Sequence, residues 1–140
     1  MFSRYASVSL YLLALFVLGC GPSTSTPSVR LGGTVTLDGQ PLESGQISFI
    51  PSDGKGNSSG ATVSAGSFDA EVFPGEMRVE IISPQVTGTR KVYDTPDSPT
   101  EDVTEEQIPT RYNTNSTLTV DAVLGEDKTD LQFALTSGKE

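Results

Sequence analysis

The 140-residue chain has no histidine, no tryptophan and one cysteine. Without histidine, a Ser–His–Asp triad, a Cys–His pair and a His-ligated zinc centre are all excluded. A single cysteine excludes an intramolecular disulfide and a cysteine cage for a metal. Basic residues are scarce as well: 9 Lys and Arg stand against 18 Asp and Glu, for a formal net charge of −9. A surface of that sign repels phosphate backbones, so no nucleic-acid partner is expected. What the sequence does have is turn chemistry, with 14 Gly and 9 Pro, in a length that suits one domain.

The one long apolar run lies at the start. Arg4 supplies a positive charge, Leu10 to Leu18 are uninterrupted apolar residues, and Gly19 and Cys20 follow. The run is about half of the roughly 20 residues that a stable membrane-spanning helix needs. A secretory signal over residues 1–19, cut before Cys20, is therefore expected rather than a permanent span. Losing it removes Arg4 and no acid, which leaves the remainder more acidic still. Residues 21–28, Gly-Pro-Ser-Thr-Ser-Thr-Pro-Ser, lack apolar periodicity and read as a flexible or polyproline-like tether.

Val17-Leu18-Gly19-Cys20 resembles the bacterial lipobox, with Leu18 where a smaller residue is more usual. The resemblance implies a diacylglycerol on the Cys20 thiol and, commonly, an acylated amine after cleavage. Acyl chains contribute about 0.8 kcal/mol per buried methylene, and more than one gives stable anchoring. The expected location is the cell envelope, exported and lipid-anchored. The expected partners are the membrane and an envelope protein or glycan.

From Val29 onward the pattern is all-β. Candidate strands are Arg30–Leu37, Gln46–Ile50, Ala61–Ser64, Ser67–Val72, Met77–Ile82, Thr117–Val123 and Asp130–Leu135. Turn signals separate them, among them Asp38-Gly39, Ala65-Gly66 and Pro74-Gly75. About seven short strands predict a two-sheet sandwich over residues 29–136, followed by a tail at 137–140. The inward set is expected to be Leu31, Val35, Leu37, Ile47, Phe49, Val63, Phe68, Val72, Val79, Ile81, Leu118, Val120, Leu131, Phe133 and Leu135.

The segment 84–109 shows no convincing strand and reads as a long acidic loop, with at most one or two helical turns at Glu101–Gln107. Its Asp94, Asp97, Glu101 and Asp102 are weak calcium-ligand candidates, since clustered carboxylate oxygens suit that ion. Their spacing does not match an EF-hand, and a solvated acidic loop is the simpler reading. Arg111 and Tyr112, just beyond the loop, are candidate partner contacts. The plainer roles are an Arg111 that holds an acidic loop residue and a Tyr112 that closes one end of the sandwich, ring inward and hydroxyl hydrogen-bonded.

Four local patterns in order resemble the carboxypeptidase regulatory-like, transthyretin-like β-sandwich in its small planctomycete-type lipoprotein form. They are Gly33-Thr34-Val35-Thr36-Leu37-Asp38-Gly39-Gln40-Pro41-Leu42, Phe73-Pro74-Gly75-Glu76-Met77-Arg78-Val79, Ile108-Pro109-Thr110-Arg111-Tyr112-Asn113 and the closing Asp130–Leu135. Met77 and Arg111 stand where Tyr and Lys are usual. In that family the sandwich is an accessory to metallocarboxypeptidases and not their catalytic part. Its ureide-hydrolysing relatives use histidine and a C-terminal Tyr-Arg-Gly-Ser, whereas this chain has no histidine and ends Thr-Ser-Gly-Lys-Glu.

These readings predict a non-enzymatic cell-envelope lipoprotein carrying a binding or structural module, with no cofactor. The alternatives are a carbohydrate- or calcium-binding module and, with least support, a hydrolase. A glycosidase needs two carboxylates about 5–10 Å apart. Candidates such as Glu71 and Glu80 fall on strand faces expected to point to solvent.

Overall fold

The structure, a computed structural model, describes residues 26–138. The expected signal at 1–19, Cys20 and residues 21–25 of the tether lie outside the described residues. No helix among the described residues is long and apolar enough to cross a membrane.

Ten strands follow one another: β1 (Val29–Leu37), β2 (Gln40–Pro41), β3 (Ser44–Pro51), β4 (Ser59–Ser64), β5 (Ser67–Val72), β6 (Gly75–Ile82), β7 (Pro84–Lys91), β8 (Thr100–Glu106), β9 (Thr119–Ala122) and β10 (Lys128–Leu135). Among the described residues one 3-10 turn, at Thr110–Tyr112, interrupts them. All seven expected strands form, with ends that shift by a few residues. The protein is all-β and folds as a sandwich.

The hydrogen-bonded path runs β10-β1-β5-β4-β3-β6-β9, with β2 paired to β1. Neighbours are antiparallel except β1 and β10, which are parallel. Between β4 and β5 the register holds only one pair, Ser64 with Ser67. There the sheet turns from one layer into the other. The layers meet through the rings of Phe49 on β3 and Phe68 on β5, 6.1 Å apart, while within one layer Phe68 and Phe133 on β10 lie 5.9 Å apart across β1.

Alternation explains why these segments pack. Along β5, Phe68, Ala70 and Val72 are buried while Ser67, Asp69 and Glu71 are exposed. Along β6, Met77, Val79 and Ile81 point inward. Successive strand side chains face opposite ways, so each strand gives the core one apolar row. Of the expected inward set, Leu37, Leu118, Leu131 and Phe133 are only half-buried against the core. They sit toward strand ends and on the edge strand β10, where only part of a side chain is covered. Val29, Leu42, Ala70, Met77, Ile108 and Ala122 join the buried core from outside the expected set.

The turns follow the sequence signals. Asp38 and Gly39 both take positive φ, 51° and 81°, as a two-residue hairpin turn that matches strand twist requires.

The acidic loop expected at 84–109 is instead largely an antiparallel ribbon. β7 and β8 form a separate two-stranded sheet, and residues 101–106 are strand rather than helix. Every residue of β8 is exposed, and β7 is exposed except for half-buried Gln85. With water on both faces, neither strand needs an apolar row, so the segment lacks the alternation by which the other strands are recognised.

Candidate functional site

The ribbon is an arm fixed at its root. Buried Ser83 marks the junction: its Oγ donates to the Ser44 carbonyl at 2.7 Å, and its backbone N–H donates to Glu106 Oε1 at 2.7 Å. The same Glu106 oxygen accepts the Ile108 N–H at 2.8 Å. Gln85 Nε2 reaches Ser44 Oγ at 3.2 Å. Ile108 is itself buried in the core, so the chain returns from the arm straight into the sandwich.

The candidate calcium ligands do not come together. Asp94 and Asp97 lie in the turn between β7 and β8. Glu101 Oε1 accepts Arg90 Nε at 2.5 Å, and Asp102 sits opposite Thr89 in the register. Among the described residues, no three His, Cys, Asp or Glu side chains are grouped so as to hold a metal ion.

Arg111 does not hold an acidic residue of segment 84–109. Its guanidinium donates to the carbonyl of Thr136 and, at 2.9 Å, to Thr136 Oγ1. It also lies 4.8 Å from the centre of the Tyr112 ring. The Tyr112 hydroxyl meets the same Thr136 Oγ1 at 3.3 Å, and its ring packs against the core. Hydrogen bonds from Thr136 and Arg111 lower the Tyr112 pKa. One residue on, the Ser137 N–H donates to Asp38 Oδ1 at 2.9 Å and its Oγ to Asp38 Oδ2 at 2.5 Å. These bonds lower the Asp38 pKa, with a smaller contribution from Arg111. The cluster latches the end of β10 to the β1–β2 turn and to the 3-10 turn. Tyr112 thus closes one end of the sandwich, and Ser137 of the tail is tied down.

The carboxylates weighed as a catalytic pair sit apart in the topology. Glu71 is exposed on β5, whose neighbours are β1 and β4, while Glu80 is on β6, between β3 and β9, and pairs with Arg78 at 2.8 Å. One concavity among the described residues is an open cleft of about 620 Å³ at one end of the sandwich. Its lining includes Pro51, Asp53, Lys55, Asn57, Phe73 and Glu76.

Four of the seven exposed large hydrophobic side chains among the described residues lie on the arm. Val86, Val92, Tyr93 and Val103 are 60%, 41%, 64% and 37% exposed. A signal for it exists in the sequence: β-branched Val86, Thr87, Thr89 and Val103, Thr104 flank a turn cluster of Asp94, Pro96, Asp97, Ser98 and Pro99. The abundance of acids masks it.

Compared with known proteins, the chain matches no family model and no curated protein. Among solved structures it is similar to a 9R-lipoxygenase from Cyanothece PCC8801, at 12% identity and a TM-score of 0.43. That likeness covers 79% of this chain and 16% of the lipoxygenase chain.

Proposed function

We propose that the protein is a non-enzymatic cell-envelope lipoprotein whose carboxypeptidase-regulatory-like sandwich is a binding or structural module, with the β7–β8 arm as its contact surface. The observation that carries this reading is the exposure of the arm. A two-stranded ribbon alone is marginally stable in water, and a third strand or a packed face is what normally secures it. Here both faces are wet, both long edges are unpaired among the described residues, and four large apolar side chains are exposed. The envelope location draws support from the apolar run that ends at Cys20 and from the Pro- and Ser/Thr-rich stretch after it.

Cross-linking in living cells tests the contact, with the full-length chain compared against a chain whose arm is replaced by a short turn. A cross-linked species lost with the arm is expected. Cross-links that persist unchanged without it overturn the contact role. Fractionation of the same cells tests the anchor: the Cys20→Ser chain is expected in the soluble fraction. Equal membrane retention of the two chains overturns lipidation at Cys20.

A second reading, a carbohydrate-binding module, has one observation in its favour. The cleft is lined by Phe73 and Pro51 together with Asp53, Asn57 and Glu76, the mixture of apolar and polar groups that a small-ligand site uses. A melting temperature unmoved by millimolar oligosaccharides from the envelope argues against it.

A further inference from the structure

The two edges of the arm are not equivalent. β8 carries Glu101, Asp102, Glu105 and Glu106 among its seven residues. Charges of one sign along an edge are a common guard against strand addition. β7 has no charge from Pro84 to Thr89, and its Arg90 is already paired with Glu101 while Lys91 Nζ donates to the Thr95 carbonyl at 3.3 Å. Its outer edge is therefore the unguarded one.

The register shows what this edge accepts. Val86 pairs with Thr104 and Gly88 with Val103, which makes Thr87 an extra residue, a bulge. Pro84, Val86, Thr89 and Lys91 consequently share one face with Glu106, Thr104, Asp102 and Thr100, and Gln85, Gly88 and Arg90 share the other. A second β7 laid antiparallel, with a two-fold axis between Thr87 and Gly88, places Val86 opposite Thr89, Gln85 opposite Arg90 and Pro84 opposite Lys91. Each of these pairs lies on a common face, and none opposes like charges. Val86 and Thr89 make a β-branched cross-strand pair, a favourable type. At the axis, Gly88 brings no side chain, and the space around the position of its missing Cβ is open to 4 Å.

Electrostatics selects this edge over the other. Strands lie about 4.8 Å apart, so pairing through β7 keeps the two β8 strands three steps, about 14 Å, from each other. That exceeds the Debye length of about 8 Å at physiological salt, and the acids are screened. Pairing through β8 instead brings the acids of both copies to one strand spacing.

We infer that the occupant of the β7 edge is a second copy of this chain, giving a continuous four-stranded sheet in the order β8-β7-β7-β8. The inference rests on the reading of the arm as a contact surface and names its partner. A homodimer built this way is isologous, with the same surface used by both subunits.

Density-matched sedimentation equilibrium of the full-length protein in detergent tests it. The wild-type chain is expected to dimerise. The double variant Val86→Lys, Thr89→Lys sets lysine against lysine and is expected to weaken the dimer at least tenfold. Mixing it with Val86→Glu, Thr89→Glu is expected to restore a mixed dimer, which a misfolded arm does not do. Asp102→Lys, on the guarded strand, is expected to leave the dimer in place. A monomeric wild-type chain overturns the inference and leaves the contact role to the cross-linking experiment. A dimer indifferent to the lysine variant, or a mixture that stays unpaired, overturns the β7 edge and its register.

Discussion

Gly33 on β1 approaches Leu131 on β10 so closely that a Cβ at position 33 falls 1.9 Å from the Leu131 carbonyl oxygen. The contact lies beside the register shift between Leu31 and Gly33, where the parallel β1–β10 pairing is irregular. Both partners are backbone, so no side-chain rotation relieves the clash. Gly33→Ala is expected to destabilise the protein by about 3 kcal/mol or more, at or above the upper end of ordinary overpacking. Chemical denaturation checks this. A loss below about 1 kcal/mol shows that β10 shifts away at little cost.

The β4–β5 turn offers the opposite case. Ala65 takes φ 49° and Gly66 φ 77°. An L residue with a Cβ costs roughly 1–2 kcal/mol in that conformation, whereas glycine carries an unfolded-state penalty of about 0.4–1 kcal/mol. Ala65→Gly is expected to stabilise by up to about 1 kcal/mol. Gly66→Ala is expected to destabilise, because its Cβ meets Pro41 Cβ at 2.7 Å. Paired thermal melts of the two variants read the sign directly.

How much of this is visible beforehand depends on whether a strand has a dry face. Phe68, Ala70 and Val72 alternate with polar neighbours because one side of β5 is core, and that rhythm is readable without coordinates. The Asp38-Gly39 turn is readable too, since few dipeptides accept two positive φ values. β8 has water on both faces, so Thr100–Glu106 carries no rhythm and its acids read as loop. The role of Arg111 is illegible for another reason: its partner, Thr136, is 25 residues away and is brought near only by the sandwich itself. The candidate site suffered most from this. Tyr112 keeps its expected structural role, whereas the arm emerges as a feature only once β7 and β8 are seen to pair.

Acid is expected to loosen the molecule at two exposed carboxylates. Hydrogen bonds from Ser137 lower the Asp38 pKa, and the bond from Arg30 lowers that of Asp69. A carboxylate with a depressed folded-state pKa contributes stability above its unfolded value, and that contribution disappears as pH falls through the folded value. The melting temperature is therefore expected to drop as pH falls below about 4. Asp38→Asn is expected to melt below wild type at neutral pH and to converge with it in acid. Parallel melting curves at every pH contradict a role for the Asp38 charge.

One carboxylate oxygen serves both ends of the arm. Glu106 Oε1 takes the N–H groups of Ser83 and Ile108, the residues where the chain leaves and re-enters the sandwich. Ser83 is 1% exposed and Ile108 2%, so water replaces that acceptor poorly. Glu106→Ala leaves both donors without it, a loss of roughly 1–3 kcal/mol. The loss is local, because the arm can open without disturbing the core strands. Hydrogen exchange is expected to quicken across β7 and β8 and to stay unchanged in β3 and β6. Glu106→Gln keeps an acceptor oxygen at the same reach and is expected to recover most of the protection. If β3 and β6 exchange faster along with the arm in Glu106→Ala, the ribbon and sandwich open as one unit. The arm is then an integral part of the domain rather than an appendage held at its root.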